Sequence, residues 1–173
     1  MHGFRSDSDW GEDNLGRTPD DVYRYDETDA GVATSRLRAK TMSIDPEALL
    51  SAALSAAKYA YSPYSQFCVG AAVETASGRV FMGCNVENAS YGLTICAERV
   101  AIFNAISQGD SKVVAVAISS EGAAYPCGAC RQVLSEFGPE MQVILGDSDG
   151  QFSERLSLKD LLPKAFGPDF KKE

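Results

Sequence analysis

Histidine is almost absent from this chain of 173 residues: the only one is His2. A mechanism that needs an imidazole would have to recruit the extreme N-terminus, a region that is ordinarily poorly ordered. Long apolar runs are also missing. Nothing approaches the roughly 20 residues that span a bilayer, and the N-terminus lacks the basic-then-apolar pattern of a secretory signal, so a cytoplasmic protein with no membrane partner is expected. Basic side chains are outnumbered 16 to 24, giving a formal charge of -8. That balance weakens the counterion-release term on which nucleic-acid binders depend, and favours a small, near-neutral partner over nucleic acid. Cysteine is scarce and odd in number, at five. A complete disulfide framework would leave one over, and without a signal peptide such cysteines point to metal binding or catalysis.

With 45% hydrophobic residues, 173 positions suffice for one domain with a core but not for two of ordinary size. Residues 1–42 are rich in Asp, Arg, Ser, Thr and Gly, show no apolar period, and predict a flexible acidic N-terminal extension. A transit peptide is the alternative, but such peptides are poor in acid, and Asp7, Asp9, Glu12 and Asp13 begin an acidic series that runs to Asp29. Met42 is a possible second start. Residues 43–173 then form the domain. Asp45-Pro46 reads as a cap and first-turn proline before a helix over Glu47 to Tyr61, stopped by Ser62-Pro63. Phe67 to Glu74 and Arg79 to Cys84 read as strands joined through Ala76-Ser77-Gly78. After an irregular stretch from Asn85 to Leu93, a second helix is expected from about Thr94 to Ser107, closed by Gly109. Val113 to Ser119 reads as a strand covered on both faces, Pro126 to Phe137 as a third helix, Gln142 to Leu145 as a buried strand and Leu158 to Leu162 as a last short helix. This alternation predicts an α/β domain with parallel strand pairs.

Two motifs stand at the starts of the second and third helices, Cys96-Ala97-Glu98 and Pro126-Cys127-Gly128-Ala129-Cys130. Helix starts favour thiolates through unsatisfied N–H groups and the helix dipole, and the thiolate is the metal ligand. Three sulfurs can converge on one point. A structural zinc site closes with four protein ligands, whereas a catalytic one keeps three and leaves a position for water. Taken alone, Cys127 and Cys130 would read equally well as a redox pair or as two buried cysteines.

Taken together, the two motifs resemble the zinc deaminase signature, a metal ligand, one residue and Glu, followed later by Pro-Cys-x-x-Cys, in its all-cysteine form. Ser62-Pro63-Tyr64-Ser65, Val69-Gly70-Ala71-Ala72, Asn85 through Tyr91, Cys96 through Arg99 and Pro126 through Gln132 look like the blocks of the small cytidine deaminases, so the likeness covers about residues 46 to 168. The resemblance implies a three-layer α/β/α fold around a five-stranded mixed sheet, and a homotetramer with shared active sites. It implies zinc held by Cys96, Cys127 and Cys130, with Glu98 as the proton shuttle in deamination of cytidine and 2'-deoxycytidine. Arg99 would face the ligand sulfurs and offset the negative charge of three thiolates. Arg131 stays outside this set.

The nucleoside itself would be met by Asn85 and Glu87 at the ribose 3'-hydroxyl and by Phe67 on the pyrimidine, with Ala89, Tyr91 and Phe166 contributing across subunits. Each has a plainer reading: loop chemistry for Asn85 and Glu87, core for Phe67, a scattered exposed aromatic for Phe166. Cys68 and Cys84 have no motif around them and read as small buried hydrophobes. Rival functions are a deaminase of another aminopyrimidine nucleoside of the blasticidin type, a nucleic-acid editing deaminase, and a zinc-stabilised binding module that would have no need of Glu98.

Overall fold

The computed structural model describes residues 44–167; the predicted extension over residues 1–42, with Met42, lies outside the described residues. The domain opens on helix α1, Pro46–Ala57. Asp45 caps it, its carboxylate accepting from the N–H groups of Glu47 and Ala48 at 3.1 Å each, which satisfies two of the donors that every helix start leaves over. The helix ends at Ala57, four residues short of the sequence expectation. Tertiary pairing overrides propensity there: the Tyr61 N–H donates to the Asn85 carbonyl at 3.0 Å, and the Tyr61 carbonyl accepts from the Glu87 N–H at 2.8 Å.

Strands β1 (Val69–Thr75), β2 (Val80–Cys84), β3 (Val113–Ser120), β4 (Gln142–Gly146) and β5 (Phe152–Ser157) form one sheet in the order β2-β1-β3-β4-β5. Only β3 and β4 run parallel; β1 is antiparallel to β2 and to β3, and β4 to β5. The mixed five-stranded sheet is therefore present, with one parallel pair where the alternation suggested several. β5 carries no sequence signal because it is an edge strand whose first four residues are exposed, so neither a buried run nor an apolar alternation marks it.

Helix α1 covers one face of the sheet, packing Leu49, Leu50 and Ala53 on Ala72, Ala115, Ala117 and Ile144. The other face holds α2 (Ala97–Ser107), α3 (Gly128–Phe137) and the short α4 (Leu158–Leu161), whose Ala101, Ile102, Leu134 and Leu158 meet Val73, Val116, Ile118 and Val143. This is a three-layer α/β/α domain. Glycine permits the tightest approaches: a Cβ on Gly70 would lie 1.9 Å from the Ala53 carbonyl oxygen, and one on Gly83 would lie 2.3 Å from the Ala101 nitrogen. Cys68 and Cys84 are not buried as expected. Both sit where β1 begins and β2 ends, at the open end of the hairpin; Cys68 is exposed beside the Ser62 hydroxyl, and half-buried Cys84 donates to the Tyr59 carbonyl at 3.2 Å.

Candidate active site

The start of β1 and the ends of β2 and β3 lie at the same end of the sheet, because β1 runs antiparallel to both neighbours. Two helices begin there. Both are shorter at their starts than the sequence suggested, and for the same reason: Cys96 and Cys127 are the N-cap residues, with extended backbone at φ -74°, ψ 152° and φ -67°, ψ 166°. The residues before Cys96 are taken up in pairing, Val86 and Ile95 exchanging two backbone hydrogen bonds at 2.9 and 3.0 Å. Cys130 follows at the third position of α3 and is fully buried.

The three sulfurs lie within 4.8 Å of one another, and Cys96 Sγ and Cys127 Sγ are 4.0 Å apart. Tetrahedral zinc with Zn–S bonds of about 2.3 Å places its sulfurs roughly 3.8 Å apart, so the cluster has the span the ion requires. All three are free thiols. The Cys130 thiol as hydrogen-bond donor and the Arg99 guanidinium together hold the Cys96 thiol well below its ordinary range, while Cys130, buried beside Cys96, is held well above. Arg99 is the counter-charge: its Nη2 lies 3.4 Å from Cys96 Sγ and 3.4 Å from the Thr94 carbonyl. Its Nε is buried with no hydrogen-bond partner. Three soft ligands, an adjacent cation and, among the described residues, no fourth donor grouped with them fit a catalytic zinc.

Glu98, at the second position of α2, is only 4% exposed. Burial raises its carboxyl above the usual range and the neighbouring Cys96 thiolate adds to this, against its own backbone N–H, which lowers it. Glu98, Cys96 and Cys127 line one cleft of about 220 Å³ together with Phe67, Asn85 and Glu87. That is below the roughly 300–1,000 Å³ of drug-sized pockets, and so suits a compact small molecule rather than a strand.

Beyond sharing the family model of residues 43–146, which is described as the cytidine and deoxycytidylate deaminase zinc-binding region, the chain has close relatives by sequence. A cytidine deaminase of Halalkalibacterium halodurans is 47% identical over 126 residues, covering 71% of this chain and 95% of the relative. One from Mycobacterium tuberculosis is 46% identical over 128 residues, 73% and 92% of the two chains. Among solved structures, the cytidine deaminase of Burkholderia pseudomallei superposes with a TM-score of 0.67 at 49% identity, over 71% of this chain and all 100% of that one. The chain belongs to the cytidine and deoxycytidylate deaminase family.

In this deaminase the loop from Asn85 to Ile95 and the turn before β1 build the cleft rim. The Asn85 amide is 7% exposed and binds the start of β1, accepting from Val69 N–H at 2.9 Å and donating to the Phe67 carbonyl at 2.8 Å. The Glu87 carboxylate accepts from the Ser65 hydroxyl and from the N–H groups of Tyr64 at 2.8 Å and Ser65 at 3.2 Å, which hold it below the usual range, the Ser65 hydroxyl foremost. Between Ser65 and Phe67, Gln66 has φ 59°, a left-handed backbone that non-glycine residues seldom adopt. Asn85 and Glu87 thus brace the turn that presents Phe67, and each keeps hydrogen-bonding capacity to spare.

Ala89, Tyr91 and Phe166 lie outside the cleft of their own chain. Tyr91 is 76% exposed and meets Tyr64 edge-on, ring centres 6.0 Å apart; Phe166 is 67% exposed. Sequence reasoning missed Tyr125, which lines the cleft and donates its hydroxyl to Glu154 on β5. Its place directly before Pro126-Cys127 was the available signal. Arg131, left out of the sequence-predicted set, donates from Nε to the Pro126 carbonyl at 2.7 Å and so braces the turn before Cys127 rather than the sulfurs.

Proposed function

We propose that the cleft takes cytidine and 2'-deoxycytidine and that the chain hydrolyses them to uridine and 2'-deoxyuridine with release of ammonia, as in pyrimidine salvage. The observation that carries this reading is the placement of a buried carboxyl, Glu98, in the lining of one cleft with Cys96 and Cys127, two of the three gathered thiols. A binding module needs the thiols but has no use for an acid held 4% exposed beside them.

Cys96, Cys127 and Cys130 would hold the zinc. When bound, zinc supplies a coordinated water of depressed pKa, hence a nucleophile near neutral pH. The proton work falls to Glu98. Its carboxylate takes a proton from water, delivers it to N3 of the cytosine ring as the C4–O bond forms, and carries the second proton to the amine as the C4–N bond breaks. Burial suits both halves of this cycle, because a carboxyl whose affinity for protons is raised is a better base and then holds the proton for the leaving group. Arg99 keeps the sulfur cluster from accumulating negative charge. Phe67 offers a face for the pyrimidine, and Asn85 with Glu87 offers acceptors and a donor to the sugar hydroxyl.

The same reading has four chains assembled with Tyr91, Ala89 and Phe166 reaching neighbouring clefts, which gives these exposed side chains a use. The -8 charge of the chain argues against a nucleic-acid substrate. Among the described residues no helix is long and apolar enough to cross a membrane, consistent with a cytoplasmic enzyme. The test is the loss of cytidine absorbance followed with the wild type and with Glu98→Gln, zinc being measured on both. Turnover by the wild type and a loss of about 10² to 10⁴ in rate at unchanged zinc are expected. Near-equal rates would overturn the role of Glu98, and a zinc-loaded wild type without turnover would overturn the function.

A further inference from the structure

The segment after α4 has no regular structure, yet it is fastened to α3 by side chains. Gln132 Nε2 donates to the Phe166 carbonyl at 2.7 Å, and the Phe166 N–H donates to Gln132 Oε1 at 3.2 Å. One side-chain amide thus pairs with both backbone groups of one residue 34 positions away. The preceding residue holds the helix just before this segment, Arg131 Nη1 donating at 3.1 Å to the carbonyl of Leu161, the last residue of α4. The Phe166 ring is nevertheless 67% exposed. With its N–H and its C=O both held by one side chain, the Phe166 backbone is fixed in advance, which removes ordering entropy from any association that uses the ring.

We infer that Gln132 is a positioning residue for substrate binding: it fixes the Phe166 backbone against α3 so that the ring is presented at a set angle to the neighbouring subunit's cleft. This rests on the reading of Phe166 as part of a neighbour-completed site. The amide is the group that does it, because its donor and acceptor match the peptide C=O and N–H in one plane; methionine of equal length offers neither, and glutamate only the acceptor. Gln132 is a cleaner probe than Arg131, which adjoins Cys130 and braces the turn before Cys127.

The experiment is steady-state cytidine kinetics on the full chain for Gln132→Met, Gln132→Glu, Phe166→Ala and the double variant Gln132→Met/Phe166→Ala, with zinc content and light scattering on each. Gln132→Met is expected to raise KM roughly 10-fold at nearly unchanged kcat, zinc and mass, from the loss of two ordinary hydrogen bonds, with Gln132→Glu intermediate. In the Phe166→Ala background Gln132→Met should have no further effect on KM, since its action passes through that ring. A KM effect that simply adds in the double variant would overturn the inference, as would an unchanged KM in Gln132→Met while Phe166→Ala raises it. Should Gln132→Met fail to fold, Gln132→Glu carries the same comparison. An unchanged KM in Phe166→Ala itself would remove the neighbour-completed cleft and this inference with it.

Discussion

Arg99 Nη2 stands 3.4 Å from Cys96 Sγ, three residues back on the same helix turn, so the counter-ion of the thiol cluster is fixed by the helix that Cys96, one of its three thiols, caps. The contact works in both directions: it favours the Cys96 thiolate, and the thiolate in turn raises the guanidinium. Arg99→Met removes the cation while keeping much of the side-chain length. A fall of about 10- to 100-fold in activity or zinc affinity is expected, the usual cost of losing a group that supports a metal ligand. Zinc titration and cytidine kinetics on the same preparation check it; unchanged values in both would leave Arg99 with no part in the site.

Cys127 is the N-cap of α3 and lies 4.0 Å in sulfur–sulfur distance from the N-cap of α2. Cys127→Ala should therefore lower zinc from about one equivalent per chain to a small fraction, while the secondary structure survives, because α3 packs through buried Cys130 and Leu134 rather than through exposed Cys127. Metal analysis beside far-ultraviolet circular dichroism reads both. Full zinc retention would assign the ion to other ligands.

The chemistry of this chain was more legible in its sequence than its outline. Cys96, Glu98, Cys127 and Cys130 meet because helix-start residues announce themselves in short motifs, and two such starts at one end of a sheet bring their side chains together. Strand β5 escaped notice because Phe152–Ser157 has too few buried positions to leave a pattern. The premature end of α1 and the late start of α2 escaped it because Tyr61, Val86 and Ile95 choose non-local bridges that no local propensity encodes. The Gln132 grip on Phe166 is a side-chain contact across 34 residues and has no sequence signature at all.

Glu74 offers a test away from the site. It sits in β1 on the α1 side at 9% exposure, and burial first, then Asp45, raises its carboxyl. A folded-state pKa above the unfolded value means that its favourable contribution is present at pH below the unfolded pKa and is lost as pH rises through the folded one. At pH 7 the charged form is thus a liability. Glu74→Gln should raise the denaturation midpoint at pH 7, with the gain shrinking on acidification toward about pH 4, near the free glutamate pKa. Urea unfolding at pH 4 and pH 7 decides it: a gain of equal size at both would rule out ionisation as the cause.

The sugar-reading role proposed for Asn85 and Glu87 makes the sharpest claim on substrate choice. Both side chains already brace the turn at residues 64–69, Asn85 through Val69 and Phe67, Glu87 through Tyr64 and Ser65. An amide carries two N–H donors and an ionised carboxylate about four acceptor positions, so one donor on Asn85 and one acceptor position on Glu87 are still open to a hydroxyl. A ligand without the sugar leaves them unpaired in a cleft where Asn85 is 7% exposed. Free cytosine should therefore show kcat/KM at least about 10- to 100-fold below cytidine, the worth of a charge-assisted hydrogen bond of about 1.5–3 kcal/mol. Cytidine monophosphate should also be poor, because its phosphate would come near the carboxylate of Glu87, which the Ser65 hydroxyl and two backbone amides keep ionised. Ranking cytidine, cytosine and cytidine monophosphate by kcat/KM on the wild type and on Glu87→Gln separates the two effects. If Glu87→Gln improved cytidine monophosphate relative to cytidine, charge near the sugar would be the cause; if cytosine and cytidine were used equally by the wild type, neither residue would read the sugar and their work would end with the turn they hold.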